Sequence, residues 1–397
     1  MASFAEEGVT VVGGGPVGLT LAVALAESGR SVTVLEARRS PRPTSRAIGI
    51  TPASLEIFQR YRLAAQLCER GIPVRRAWVH DREGNAVEAS FETLPSDFTY
   101  VLSIPQVETE RVLEARLTGY PSVEILRGTR LVALEGGNAG VTAVTDDGRR
   151  ITSRFLCGCD GKWSTVRGAV TRVWRGRVLS ESFVMGDFED RTDLGEDAHL
   201  FFTPQGSLES FPLPGGTRRW IAQTRSYQPD PQPGLLEELV LRRGGFDLRA
   251  SRELWRSSFE TERRQARRWA RPPLFLAGDA AHLMPPIGGQ GMNVGIGDAE
   301  HLADLITLAL REPERTAALA REYERRRRAA FAVAAGRSVL GMKVGTASGW
   351  FLSPLRDRLV GSLLSGSRAP RLMEHFSMLS SPFRRSPWGS EPTGVPG

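Results

Sequence analysis

Three short stretches of this chain carry residue types that could hold a small molecule and do chemistry on it. The first is Gly13-Gly14-Gly15-Pro16-Val17-Gly18, with a carboxylate, Glu36, further along. Gly13 permits a tight turn, Gly15 lets a pyrophosphate approach the backbone, and Gly18 lets a helix and a strand pack closely. A helix opening there presents unpaired N–H groups to phosphates, and Glu36 can accept from ribose hydroxyls. This pattern points to a dinucleotide and does not choose between FAD and NAD(P). The second stretch is Cys159-Asp160-Gly161, continuing to Arg167. Alone, an Asp-Gly pair marks a surface turn. The third runs from Leu276 to Asn293. In it Gly278 lets backbone approach a ligand and Asp279 can accept from a ligand hydroxyl. Gly288, Gly289, Gln290, Gly291, Met292 and Asn293 make a bend into a helix N-terminus, which favours negative charge.

The flanking patterns say what must position these residues. Val9 to Val12 is a β-branched run, the composition of a buried parallel strand. An apolar helix from Leu19 to Glu27 follows, stopped by Ser28-Gly29, then a strand from Ser31 to Leu35 ending at Glu36 with Ala37 beyond it. Thr51-Pro52 opens a helix through Tyr61. Val74 to Val101 alternates like strands, and Pro105-Gln106 opens a helix through Leu117. Strands near Val123–Leu126, Arg130–Leu134, Val141–Thr145 and Ile151–Leu156 read as a meander attached to the first βαβ unit. From Val173 to Thr261 strand patterns return, with helical stretches at Gly234–Arg243 and in the Arg-rich segment before Pro272. Pro273–Ala277 is another buried strand. Two helices follow, one starting near Asn293 and one over Glu314–Arg337. The region to Leu379, with Trp350 and Phe351, is expected to pack, and Ser380 to Gly397 reads as a loose tail.

Composition narrows the function classes. The 397 residues carry 41% hydrophobic and 24% charged residues, ordinary for a soluble globular protein. The net charge is +7, and only Lys162 and Lys343 are lysines among 52 basic residues. The Arg325-Arg326-Arg327-Arg328 run reads as a solvated helix face, without the aromatic interleaving of a nucleic-acid module. Three cysteines, Cys68, Cys157 and Cys159, describe neither a disulfide framework nor a zinc site. No run reaches the roughly 20 apolar residues of a membrane span. A cytoplasmic enzyme of two or three domains is expected, bound to neither membrane nor nucleic acid.

In order, the three stretches resemble the single-component FAD-dependent aromatic hydroxylases of the para-hydroxybenzoate hydroxylase type, over most of residues 5 to 345. The most specific match is the strand followed by Gly278-Asp279-Ala280-Ala281-His282, then Pro285-Pro286, then Gly289-Gln290-Gly291-Met292-Asn293. The resemblance implies an α/β fold: an FAD-binding Rossmann-like domain of the GR2 type, an inserted, largely antiparallel β-sheet substrate domain, and C-terminal helices. The expected division is 1–73, 105–172 and 265–335 for FAD, 74–104 and 173–264 for substrate, and 336–379 for the helices. It implies that Gly13, Gly15, Pro16, Val17, Gly18, Glu36 and Ala37 hold the ADP half. Arg46 and Gln106 match positions contacting the pyrophosphate and ribityl chain; from its place in a charged loop, Arg46 reads equally as a surface charge. Asp160 matches a residue tied to FAD and NAD(P)H, and Arg167 is expected to help structurally or electrostatically. By the same resemblance Gly278 and Asp279 are expected to face the ribityl chain, and Pro285 to lie beside the flavin ring.

The chemistry the resemblance implies belongs mainly to the cofactor. NADPH or NADH reduces FAD, O2 adds to give a C4a-hydroperoxyflavin, and oxygen passes to an electron-rich carbon of an aromatic small molecule, phenolic or polyketide-like. The Arg-rich composition suits bacterial specialised metabolism. His282 has two readings, a base or a packed support. Phe202, Phe211 and Trp220, with Phe201 and Pro212, are candidates to line a pocket between the second sheet and the flavin, and equally candidates for plain core. Epoxidation and simple flavin reduction share the fold; a halogenase motif is absent. Monomer and homodimer are both compatible with the sequence.

Overall fold

The computed structural model describes residues 8–42, 44–137, 140–346, 353–365 and 369–380. Trp350, Phe351 and the tail beyond Ser380 lie outside the described residues.

Val9–Val12 forms a strand whose four side chains are all buried. It pairs in parallel with Val32–Glu36 on one side and Phe155–Gly158 on the other. Val123–Arg127 and Leu274–Leu276 extend the sheet in parallel, and Ala270–Arg271 closes one edge antiparallel. Parallel pairing buries both faces, which is why these strands read as apolar runs. The helix Pro16–Glu27 lies on this sheet, and the helix Gln290–Arg311 packs on that helix. One core cluster joins Val11, Leu21, Val34, Leu156, Phe275 and Leu302.

The second sheet is wide and mostly antiparallel. Among the described residues its order is His282–Leu283, Glu253–Ala266, Trp174–Glu189, Thr217–Thr224, Gly206–Leu213, Ala198–Thr203, Arg76–His80 and Ala86–Ser90. Helix Leu235–Gly244 covers one of its faces with Leu236 and Val240. A small sheet of Gly49–Ile50, Val101–Ser103 and Ile72–Val74 bridges the two large ones. The long helix Thr316–Gly345 and the helices Ser353–Ser365 and Ala369–Phe376 complete the described chain, an α/β fold with a largely parallel sheet and a separate wide, mostly antiparallel one. Among the described residues no helix is long and apolar enough to cross a membrane.

The structure corrects three expectations. Ile151–Leu156 is two strands, because the chain changes sheets at Arg154, whose N–H bonds the Gly8 carbonyl at 2.9 Å. Val123–Arg127 belongs to the parallel sheet; the meander is only Leu131–Gly137, Gly140–Thr145 and Arg150–Ser153. The Arg-rich segment before Pro272 is not helical: Glu253–Ala266 is a long strand laddered against Trp174–Glu189. Arg and Glu favour helices intrinsically, but a full ladder outweighs that preference.

Candidate functional site

The glycine turn is built by collision avoidance. Gly13 has φ +110°, and a Cβ there would strike the Cys159 carbonyl oxygen; a Cβ on Gly18 would strike the Gly13 carbonyl oxygen. Around a Cβ on Gly15 there is nothing within 4 Å. Pro16 is buried as the first helical residue, and half-buried Val17 sits where Cβ atoms on Gly278 and Gly295 would meet it at 3.0 and 2.6 Å. Glu36 is buried at its strand end and accepts from Gly14 N–H at 2.7 Å, Arg38 N–H at 2.8 Å and Arg38 Nε at 2.9 Å. Burial works to raise its pKa, but the hydrogen bonds and charge of Arg38, with the Gly14 N–H, bring it below the ordinary value. Ala37 is exposed beyond it.

Asp160 Oδ2 accepts from Thr165 N–H at 2.7 Å and Val166 N–H at 3.2 Å, holding the start of the helix Thr165–Val170. Among the described residues its buried Oδ1 has no hydrogen-bond partner. Desolvation raises this carboxyl, against the hydrogen bonds it accepts. Arg167 donates to the carbonyls of Ala280 at 3.1 Å and Lys162 at 2.8 Å and lies 4.1 Å over the Trp174 ring, so it ties the Asp-Gly turn to the Gly-Asp turn.

Gly278, at φ +59°, donates its N–H to Asp298 Oδ2 at 3.0 Å. Asp279 meets solvent within crowded surroundings, whose desolvation raises its carboxyl against the charges of His282 and Lys162. Pro285 is buried; Gly288 and Gly289, exposed and left-handed at φ +79° and +64°, turn the chain into the Gln290–Arg311 helix. Gln290 is buried, its Oε1 without a hydrogen-bond partner among the described residues, and Gly291 and Met292 are half-buried. Asn293 accepts from Thr51 N–H at 3.0 Å and donates to the carbonyls of Gly49 at 2.9 Å and Gly289 at 2.7 Å. It locks the glycine bend to the bridging sheet.

His282 is a packed support. Its Nε2 lies 2.6 Å from Asp298 Oδ2, and its ring sits between Trp269 and Phe331, each centroid at 4.9 Å. Asp298 is fully buried and also accepts from Arg327 Nε at 2.7 Å. Arg327 therefore corrects the solvated-face expectation. Arg325 is 67% exposed but Arg327 is 1% exposed, because successive helical side chains point about 100° apart. Asp298 escaped the sequence reading, and only spacing in from the glycine bend could have flagged it; Arg327 was named there only as part of the solvated run.

Two expected cofactor contacts are occupied within the protein. Arg46 donates to the Ser258 carbonyl at 2.8 Å and lies over Phe259 at 5.6 Å, on the wide sheet. Gln106, first residue of its helix, accepts from Ser45 Oγ and donates to Glu110 Oε1, both at 2.7 Å.

With this geometry in view, a family model described as an FAD binding domain matches residues 6–337. This chain belongs to that FAD-binding family. It is 34% identical over 301 residues to a rifampicin monooxygenase of Streptomyces venezuelae, covering 74% of this chain but 62% of the relative; the chain thus spans less than two thirds of that protein. Its fold is similar to the Diels-Alderase PyrE3 of pyrroindomycin biosynthesis, with TM-score 0.81, 27% identity, and 94% of this chain and 81% of that one covered. It is also similar to the OxyS anhydrotetracycline hydroxylase from Streptomyces rimosus, with TM-score 0.80, 25% identity, and 96% and 77% covered.

The residues of this FAD-binding family member fit FAD. The space at Gly15 suits phosphate at a helix start. The orphaned Asp160 Oδ1 and Gln290 Oε1 offer acceptors for hydroxyl or N–H donors. On the wide sheet, strand alternation sorts the aromatic candidates. Phe201 and Trp220 pack with Val184, Phe188 and Leu208 beneath the Leu235–Gly244 helix. Trp220 is therefore core, on the face turned away from Phe183, Met185, Ile221 and Phe259. Half-buried Phe202 and Phe211 lie on the latter face, with Arg219, since Phe202 and Phe211 alternate with Phe201 and Ser210 along their strands. Pro212 alternates to the helix-covered face. Glu209, which the sequence reading passed over, shares the face of Phe211.

Proposed function

We propose that this chain is a flavoprotein monooxygenase that uses NADPH or NADH and O2 to hydroxylate a phenolic or polyketide-like aromatic small molecule, in bacterial specialised metabolism. The observation that carries this reading is the convergence of the three motif stretches: Gly13 against Cys159, Val17 against Gly278, and Arg167 on Ala280. FAD, when bound, supplies the electron transfer from nicotinamide to oxygen. Gly13, Gly15, Pro16, Val17, Gly18, Glu36 and Ala37 would hold its ADP half, with Gly15 giving access to the helix N–H groups. Asp160, Gly278 and Asp279, with Arg46 and Gln106 once released from their present partners, would hold the pyrophosphate and ribityl region. Pro285 and the bend from Gly288 to Asn293 would hold the ring end. There the N-terminus of a 22-residue helix favours the negative charge of a reduced ring.

Asn293 ties the bend to Gly49 and Thr51 through hydrogen bonds. The substrate would lie over the wide-sheet face of Phe202 and Phe211, with water excluded by the C-terminal helices. The test is purification of the yellow protein and assay of NAD(P)H consumption with phenols, against O2 uptake. Consumption stimulated by a phenol with matching product supports the proposal; bound FAD without any nicotinamide oxidation contradicts it. The likeness to a Diels-Alderase favours a second reading, ring closure of a polyketide-like substrate without oxygen transfer. Product mass separates the two, since ring closure adds no oxygen.

A further inference from the structure

We propose that Glu209 is the residue that accepts the hydroxyl proton of the phenolic substrate. This rests on the phenolic reading above. Glu209 sits in the strand Gly206–Leu213, directly across from Leu200 on one side and Ile221 on the other, with no register shift in either pairing. Cross-strand neighbours of this kind have Cβ atoms about 4.5–5.5 Å apart. Leu208 and Trp220 go beneath the Leu235–Gly244 helix, so Glu209 points out of the opposite face. Around it Leu200, Phe202, Phe211 and Ile221 are all half-buried, while Glu209 is 8% exposed: a carboxylate recessed among open apolar side chains.

Buried carboxylates ordinarily have a partner. Glu209 has neither a hydrogen bond nor an ion pair among the described residues, and desolvation alone pushes its pKa up to about 7. The cations of that face are engaged elsewhere. Arg219 holds Asp187 through Nε at 2.6 Å, Arg46 holds the Ser258 carbonyl, and Arg356 holds Asp357 and the Phe202 carbonyl. The two nearby histidines, His80 and His199, bond each other on the helix-covered face. The strand is also tied to the glycine bend. Asn293 donates to the Gly49 carbonyl, Gly49 pairs with Ser103, and Ser103 Oγ donates to the Pro212 carbonyl at 2.6 Å, three residues from Glu209.

In the step assigned to Glu209, the phenolic O–H bond breaks and its electron pair stays on the oxygen. The proton forms a new O–H bond on the Glu209 carboxylate, and the ring becomes richer in electrons at its ortho and para carbons. A positioned base of this kind contributes about 100-fold or more in rate.

The test titrates the FAD-loaded protein with resorcinol and with 1,3-dimethoxybenzene, which has no proton to give, and follows the visible flavin spectrum. Resorcinol affinity rises about tenfold between pH 6 and pH 8 as Glu209 ionises, since charge-assisted hydrogen bonds are the stronger ones. The ether shows no such rise. Glu209→Gln flattens the resorcinol dependence, and Glu209→Asp restores part of it; FAD content and thermal unfolding verify that each variant is folded. Resorcinol binding with the same pH dependence in wild type and Glu209→Gln overturns the assignment while leaving the phenolic reading intact. Failure of wild type to bind or turn over any phenol overturns both.

Discussion

His282 Nε2 and Asp298 Oδ2 lie 2.6 Å apart just beyond the end of the Leu274–Leu276 strand, and the same carboxylate oxygen accepts the Gly278 N–H at 3.0 Å. Arg327 takes the other oxygen. One buried carboxylate thus sets the backbone of the Gly-Asp turn, orients an imidazole and neutralises a guanidinium. Removing one member of such a set leaves the others uncompensated, at a cost of about 3–5 kcal/mol. We predict that Asp298→Asn unfolds at markedly lower temperature and loses FAD on dilution. A replacement of Asp298 and Arg327 together by apolar residues costs less than the single change. Equal melting of Asp298→Asn and wild type would contradict this.

The pH dependence of that set has a definite sign. Burial works to raise the Asp298 pKa, but the charges and hydrogen bonds of Arg327 and His282 outweigh it and the net direction is down. A depressed carboxyl contributes stability above its ordinary pKa, and that contribution is lost as pH falls through the folded value. Acid unfolding of wild type is expected to be steeper below pH 4 than that of a variant with apolar residues at both positions, read by circular dichroism.

Glycines in the same turn should fail in different ways. Gly18→Ala drives a methyl into the Gly13 carbonyl, an overpacking that costs about 1–3 kcal/mol. Gly15→Ala meets open space, so the protein folds. Its methyl stands where phosphate would approach, and FAD affinity falls tenfold or more, about 1.4 kcal/mol. Thermal unfolding of the flavin-free proteins separates the two effects. A Gly15→Ala protein that keeps wild-type FAD affinity would contradict the assignment.

Glu209 makes a stability prediction opposite in sign to that of Asp298. Its folded pKa is raised to about 7 by desolvation. Its contribution is therefore fully present below the unfolded carboxyl pKa and is lost as pH rises through about 7. Each pH unit by which a pKa moves is worth about 1.4 kcal/mol. Glu209→Gln is expected to be more stable than wild type by about 3 kcal/mol at pH 8, with the gap closing toward pH 4, as measured by urea titration.

The two faces of the wide sheet predict different consequences for two aromatics. Trp220→Ala opens a hole beneath the Leu235–Gly244 helix and costs about 3–5 kcal/mol. Phe211→Ala, on the open face, changes KM for the aromatic substrate with little loss of stability. Paired melting and steady-state assays check both.

Much of this was legible in the sequence wherever the signal was local. The Val9–Val12 strand, the three glycines after it and the Gly278–Asn293 bend each declare themselves through adjacent residues. What was missed depends on partners far along the chain. Arg327 looks like its exposed neighbours until a helix turns it onto Asp298. The Glu253–Ala266 strand has a helical composition and becomes a strand only by pairing with Trp174–Glu189. Trp220 and Phe211 sit on neighbouring strands and differ only in which face alternation gives them. Glu209 stands out only once its neighbours across the sheet are known. Arg46 and Gln106 were located in the sequence, but their side chains are engaged with Ser258 and with Ser45 and Glu110.

The central claim, oxygen transfer to an aromatic ring, is tested most directly with labelled oxygen. The FAD-loaded protein is given NADPH or NADH, a panel of phenolic and polyketide-like aromatics, and 18O2, and the products are weighed by mass spectrometry. One 18O atom per product molecule, matched by one nicotinamide oxidised, is the predicted result. Nicotinamide oxidised only to hydrogen peroxide, or a product of unchanged oxygen content, would contradict it.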